Sequence, residues 1–357
     1  MRIGILNGGG DCPGLNAVTH GVVCAARHLD WEIVGFRDGF DGMLPPGDYM
    51  MLDALATHQV MGLGGTILGT TNEGQFSSKV GEGEVAGVDP KLIEKARYTL
   101  ERLEIEALVV VGGDGTLSTA LQLYKAGLPI IGVPKTIDND LSATAMTFGF
   151  DSAASLVVDS IDRLRTTAKS HKRVMVIEVM GRHAGWIALY GGMGGGADVI
   201  LLPEIPFDYD VIVEHIRTRE SYGLHYSMVV VSEGAKLGGK LIGQERKGRG
   251  EVRLGGIGEI VAEELGKRTG KQARACVLGH LQRGGSPTAL DRMLGMRFGV
   301  KAMELAEEKK FGEMVSYHQY HVDSVPIAEA VEKLRTVPPD GELVETARKL
   351  WICLGDR

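Results

Sequence analysis

Two hydrophobic rhythms take turns along this chain. Short, nearly unbroken apolar runs at Arg2 to Leu6, Glu32 to Phe36, Ala107 to Val111, Pro129 to Val133, Arg173 to Val179, Val199 to Leu202 and Tyr226 to Ser232 predict strands covered on both faces. Between them apolar residues recur at the spacing of a one-sided helix. Leu15, Val18, Val22, Ala25 and Leu29 form one such stripe, and Ile93, Ala96, Leu100 and Leu103 form another behind the helix start Asp89-Pro90. Thr116 is placed to cap a helix over Leu117 to Ala126 that Gly127 would end, and a longer helix is expected from about Asp151 to Thr167. Strand, crossover helix and strand make the unit from which mostly parallel α/β sheets are built.

Two stretches break the alternation. Residues 236–256, rich in Gly, Lys and Arg, read as an exposed excursion. The run Gly191 to Gly196 resembles a nucleotide loop in composition, but no strand precedes it, so close helix packing or a bend is expected there.

With 357 residues the chain invites two domains, and 44% hydrophobic with 24% charged residues is the balance of an ordinary globular protein. A net charge of -7 gives no general attraction to nucleic acid or to an anionic membrane, so an anionic ligand has to meet local cations. No apolar run reaches the length of a membrane span, and a cytoplasmic location is expected. The four cysteines, Cys12, Cys24, Cys276 and Cys353, have no metal-ligand spacing and are read as reduced thiols.

Candidate chemistry gathers where strands end. Ala107 to Val111 runs into Gly112-Gly113-Asp114-Gly115-Thr116, where glycines would let the backbone approach an anion and the helix start would favour a phosphate. Asp114 would repel that phosphate unless Mg²⁺ stood between them; the same residues also fit a tight strand-to-helix turn with a capping aspartate. A second glycine loop, Gly8 to Gly10, follows the first strand, with Asn7 and Asp11 beside it. Thr136-Ile137-Asp138-Asn139-Asp140 leaves a third strand and presents two carboxylates and a hydroxyl, suited to orienting a substrate hydroxyl and accepting its proton, although Asx-rich turns also satisfy their own backbone. Downstream, Arg173, Arg182, His183, Arg274, His280 and Arg283 supply cations in short segments, several of them flanked by glycine, which would suit a second phosphate. Transfer of a phosphoryl group to the hydroxyl of a phosphorylated substrate follows from that combination.

Asn7 to Gly14, Gly112 to Thr116, Pro134 to Asp140, Met180 to Gly185, Pro203-Glu204 and Leu278 to Arg292 closely resemble the 6-phosphofructokinases, in the same order and over nearly the whole chain. The resemblance implies two Rossmann-like three-layer α/β/α domains with mostly parallel sheets and the active site in the cleft between them. A phosphoryl-donor domain would comprise residues 1–149 with about 282–332, and a fructose 6-phosphate domain residues 150–281 with about 333–357. It also implies roles. Asp138 would be the general base toward the C1 hydroxyl of fructose 6-phosphate, with Thr136 and Arg182 on the transferred group, and Asp114 on Mg²⁺ with Asp140 nearby. Gly9, Gly10, Asn72, Gly113, Asp114, Gly115, Thr116 and Lys135 would hold the donor. Met180, Gly181, Arg182, Glu233, His280 and Arg283 would hold the sugar phosphate, with Arg173 and Arg274 arriving from a neighbouring subunit of a tetramer or dimer.

The family uses ATP or pyrophosphate. Gly115 leaves open the space that a second aspartate closes in the pyrophosphate enzymes, whereas Lys135 resembles the pyrophosphate and mixed-substrate branch. The steric argument favours ATP. Thr70-Thr71-Asn72 lacks the phosphate-bridging arginine of the ordinary bacterial enzymes, and Phe40 replaces an adenine-stacking tyrosine. His20, Cys24 and Tyr222-Gly223-Leu224 stand where those enzymes carry effector-site cations, leaving Arg165 alone, so control by phosphoenolpyruvate or ADP through that site is expected to be weak. An NAD kinase-like enzyme would share Gly-Gly-Asp-Gly-Thr but leave Thr-Ile-Asp-Asn-Asp unexplained. A catalytically silent sugar-phosphate-binding regulatory protein is the reading from another class, against which stand Asp114, Asp138 and Arg182.

Overall fold

The computed structural model of the 357-residue chain describes residues 1–71, 74–76, 79–80, 84–85, 87–241, 244–247 and 251–357. In chain order the first elements are β1 (Arg2–Asn7), α1 (Leu15–His28), β2 (Glu32–Phe36), β3 (Tyr49–Leu52), β4 (Lys79–Val80), β5 (Glu84–Val85) and α2 (Pro90–Arg102). Next come β6 (Ala107–Gly112), α3 (Asp114–Lys125), β7 (Ile130–Pro134), α4 (Phe150–His171), β8 (Val174–Val179), α5 (Trp186–Gly194), β9 (Val199–Leu201), α6 (Tyr209–Ser221) and β10 (Ser227–Ser232). Two small hairpins follow, β11 (Lys236–Leu237) with β12 (Lys240–Leu241), and β13 (Gln244–Lys247) with β14 (Glu251–Leu254). The chain ends with α7 (Ile257–Thr269), β15 (Ala273–Val277), α8 (Ala289–Glu307), β16 (Glu313–His318), β17 (His321–Pro326), α9 (Ile327–Glu332) and α10 (Glu342–Lys349).

Two compact units result. The first comprises Met1–Ile137, Leu141–Ser152 and Arg283–Lys333; the second comprises Asp138–Asp140, Ala153–Gln282 and Leu334–Arg357. The first unit holds a seven-stranded sheet in the order β17-β16-β7-β6-β1-β2-β3, parallel from β2 through β16 and antiparallel at its two edges. All of β6 and β7 is buried, as unbroken apolar runs between two helix layers require. The second unit holds a four-stranded, wholly parallel sheet in the order β15-β8-β10-β9, with β8 and β10 buried throughout.

The helix starts follow the local chemistry. Asp89 caps α2 by accepting from the Lys91 N–H at 2.9 Å, directly ahead of Pro90. The expected cap at Thr116 is corrected: α3 begins at Asp114 with Gly113 as its cap residue, and Thr116 lies inside the first turn. Gly127 does terminate α3, at φ 90°. The run at Gly191 packs as expected, for a Cβ at Gly191 would lie 2.5 Å from the Cβ of Val157. Among the described residues no helix is long and apolar enough to cross a membrane.

Candidate active site

In the first unit three neighbouring strands end side by side. Asn7 of β1 pairs with Val111 of β6, and Gly112 of β6 pairs with Pro134 of β7, so the loops after Asn7, Gly112 and Pro134 leave one edge of the sheet together. Backbone bonds tie them: the Gly8 N–H donates to the Val111 carbonyl at 2.9 Å, and the Lys135 N–H to the Gly112 carbonyl at 2.9 Å. Thr116 is wedged into this edge, buried, with its side-chain atoms 2.5 Å from where a Cβ would stand on Gly8 and 2.3 Å from one on Gly112. Gly112 is therefore glycine to admit Thr116, a reason internal to the protein. Gly113, at φ −85°, is under no such backbone demand.

Gly113 offers no side-chain cap to α3, which starts at this edge with half-buried Asp114 at the first helical position. Lys135 is 4% exposed and its ammonium donates to the Gly10 carbonyl, placing a positive charge in the glycine loop. Arg283 also lies here: its Nη1 donates to the Asp11 carbonyl at 3.2 Å. Burial pushes the Cys12 thiol up to about 12, so it stays neutral and serves as packing. Asn72 lies outside the described residues.

An anion with a divalent cation fits this edge by its chemistry. Mg²⁺ keeps most of its waters and takes one or two carboxylates plus phosphate oxygens, and the described residues hold no cluster of three or more His, Cys, Asp or Glu that would cage a metal alone. Asp114, at the first helical position of α3, would supply the single carboxylate such an arrangement needs.

From the same edge the chain passes between units. Thr136 belongs to the first, its carbonyl accepting from the Thr147 hydroxyl at 2.7 Å, whereas Asp138, Asn139 and Asp140 belong by contact to the second. Asn139 sits at φ 52°, the left-handed region, between two half-buried carboxylates.

In the second unit β8 ends at Val179 and delivers Met180, Gly181 and Arg182. Gly181 has φ 130° and is pressed against Ser232, whose hydroxyl donates to the Gly181 carbonyl at 2.6 Å. The Glu233 N–H donates to the Val179 carbonyl at 2.9 Å, and the Met180 N–H donates to Oε1 of Gln282 at 2.7 Å. Arg283 belongs by contact to the first unit, whereas Met180, Gly181, Arg182, Glu233 and the turn from Gly279 to Gln282 bearing exposed His280 are thus gathered at one end of the sheet. Arg173 and Arg274 are not. They stand at the opposite end of β8 and β15: Arg274 is in register with Met175, five residues or about 17 Å along the strand from Met180, and Arg173 lies seven residues or about 23 Å from it.

A model of the phosphofructokinase family matches residues 2–306. The chain belongs to that family. An ATP-dependent 6-phosphofructokinase of Chloroflexus aurantiacus is 49% identical over 356 residues, covering 100% of this chain and 98% of the relative. A pyrophosphate–fructose 6-phosphate 1-phosphotransferase of Amycolatopsis methanolica is 46% identical over 344 residues, covering 95% and 97%. The crystal structure of Pichia pastoris phosphofructokinase in the T-state superposes on 93% of this chain with a TM-score of 0.81 and 30% identity; this chain spans 35% of that one. The two α/β units with mostly parallel sheets agree with the fold of this family.

Three residues that organise this phosphofructokinase went without a role in the sequence reading. Gln282 holds Met180, and Glu178, buried inside β8, accepts from the Gly256 and Gly258 N–H groups at 3.1 and 2.8 Å. Glu204 accepts from the Gly185 N–H at 3.0 Å and the Val337 N–H at 2.8 Å, and burial pushes its carboxyl up from the usual range. A carboxylate inside an otherwise apolar strand was the available signal for Glu178.

Proposed function

We propose that this chain is a 6-phosphofructokinase that transfers the terminal phosphoryl group of ATP, with Mg²⁺, to the C1 hydroxyl of fructose 6-phosphate, giving fructose 1,6-bisphosphate. Family membership and full-length relatives near 49% identity support the activity. The observation that carries the donor side is the aligned edge of β1, β6 and β7 with an uncapped α3 beside Asp114. Gly8 to Gly10, Gly113 to Thr116 and Lys135 bind the donor phosphates, and Asp114, with Asp140 nearby, would hold Mg²⁺, which when bound would supply positive charge against the phosphates. Asp138 takes the proton from the C1 hydroxyl as that oxygen attacks, and Thr136 and Arg182 hold the transferring group. Met180, Gly181, Glu233, His280 and Arg283 orient the sugar phosphate.

Arg173 and Arg274, far along the sheet from Met180, complete the sugar site of a neighbouring copy, which supports a homo-oligomer, a tetramer or a dimer. Residues 1–149 with about 282–332 act on the donor and the remainder on the sugar, in the cytoplasm. Pyrophosphate is the second reading, favoured by Lys135 and by the Amycolatopsis relative. Turnover measured with ATP and with pyrophosphate, in the native enzyme and in Asp138→Asn, tests both. The variant is expected to keep fructose 6-phosphate affinity and lose about 10³-fold in kcat. Undiminished turnover would remove Asp138 as base, and faster turnover with pyrophosphate would reverse the donor.

A further inference from the structure

Asp138 and Asp140 flank a residue whose backbone is not at rest. Asn139 at φ 52° occupies the left-handed region, which costs a non-glycine residue on the order of 1 kcal/mol and persists only where the surroundings hold it. A strap from the end of the chain does the holding. The Arg335 N–H donates to the Asp140 carbonyl at 2.7 Å, and its guanidinium Nη1 donates to the Asn139 carbonyl at 3.4 Å. One residue thus grips two successive carbonyls immediately after Asp138.

Arg335 is itself fixed from two sides. Its guanidinium lies 4.5 Å from the ring centre of Trp186, which is 5% exposed, and the Trp186 indole N–H donates to the Arg335 carbonyl at 2.9 Å. Two residues further on, the Val337 N–H donates to the Glu204 carboxylate oxygen that also accepts from Gly185. The strap is therefore pinned to the start of α5, where the Met180 to Gly185 loop ends.

We infer that Arg335, seated on Trp186, is a positioning residue for the phosphoryl transfer: it holds the left-handed turn at Asn139 and so sets where the Asp138 carboxylate points. The inference rests on the reading of Asp138 as base. Misplacing a catalytic group by about 1 Å lowers turnover about 100-fold without changing how substrate binds. Arg335→Ala keeps the main-chain bond to Asp140 and removes the guanidinium.

The full-length enzyme is assayed with ATP and Mg²⁺, and fructose 6-phosphate affinity is measured separately by calorimetry. Arg335→Ala is expected to lower kcat about 100-fold with sugar affinity within about twofold of the native enzyme, and Arg335→Lys, which keeps a donor but not the planar stack, to recover part of it. In a double-mutant cycle Asn139→Gly, which makes the left-handed turn free of steric cost, is expected to shrink the effect of Arg335→Ala. Native kcat in Arg335→Ala overturns the positioning role, as does parallel loss of turnover, sugar affinity and thermal stability, or strict additivity in the cycle. Asp138→Asn assayed beside them separates the two levels. If that variant is fully active the base assignment falls and the positioning role with it, whereas an inert Asp138→Asn with an unimpaired Arg335→Ala overturns the positioning role alone.

Discussion

The two halves of this enzyme form their loops by opposite means. At the edge of β1, β6 and β7 the backbone is shaped by missing side chains: Gly8 and Gly112 make room for Thr116, and the N–H groups at the start of α3 have no side-chain cap. At the end of β8 the backbone is held by added side chains. Gln282, Glu178 and Glu204 each accept main-chain N–H groups and so fix Met180, the approach to α7 and Gly185. A phosphate-bearing donor needs bare N–H groups with charge-compensating cations, whereas a sugar phosphate is read by side chains whose supporting backbone has already been satisfied. The contrast makes the first edge intolerant of a side chain at Gly8 or Gly112, and the second intolerant of a lost acceptor.

The severest test of the first half is a carboxylate placed at the start of α3. Gly115→Asp sets a negative charge one residue after Asp114, in the first turn of α3, where the helix start would otherwise favour the donor's phosphates. Like charges brought together cost several kcal/mol, so kcat/KM for ATP is expected to fall about 100-fold or more with fructose 6-phosphate affinity kept. Steady-state kinetics with ATP varied at saturating sugar phosphate measures it. Unchanged use of ATP would mean that Gly115 does not face the donor and that the steric case against pyrophosphate fails with it.

A methyl group is a milder intrusion on the same edge. In Gly112→Ala the new Cβ would stand 2.3 Å from the Cβ of Thr116, so either α3 or β6 must shift. Overpacking of this kind destabilises by about 2 kcal/mol, and the shift is expected to raise KM for ATP more than KM for fructose 6-phosphate. Thermal unfolding and the two KM values read it. Equal change in both constants would show that the two edges are not built independently.

Much of this was legible beforehand, and the misses have a common cause. Strand-helix alternation, the cap at Asp89 and the stop at Gly127 are local patterns, and local patterns survive folding. The start of α3 was misread because Asp114-Gly115 resembles a loop continuing the glycines, while Thr116 is needed inside the first turn to fill the space between Gly8 and Gly112. Glu178 is signalled only as a carboxylate inside an apolar strand, and the partners of Glu178, Glu204 and Gln282 are backbone N–H groups of Gly256, Gly258, Gly185, Val337 and Met180, which no residue pattern identifies. The same blindness hid Arg335, whose targets are carbonyls.

Among the described residues the first unit also holds a buried carboxylate built in the manner of the second, Asp291, and it is less completely served. Asp291 near the start of α8 accepts at Oδ2 from the Ser152 N–H at 2.8 Å and the Ser152 hydroxyl at 2.6 Å, while Oδ1 is buried without a partner. Glu178, by contrast, has an N–H for each oxygen. Burial pushes Asp291 up to about 6, against the pull of the Ser152 bonds and of the Gly149 N–H, with a small further rise from Asp151. Since the folded value lies above the unfolded one, the folded state binds the proton more tightly, and this group's contribution to stability is fully present below about pH 4 and declines as pH rises to about 6. A shift of that size corresponds to about 3 kcal/mol lost at pH 8, of which Asp291→Asn would recover about 1 kcal/mol net, because the amide leaves its own N–H groups unsatisfied in the same dry site. The Tm of Asp291→Asn is therefore expected to exceed that of the native enzyme at pH 8, with the difference shrinking and then reversing as pH falls below 6. A difference constant from pH 5 to 8 would mean that Asp291 is ionised throughout that range, and that its site serves a carboxylate as fully as two backbone N–H groups serve Glu178.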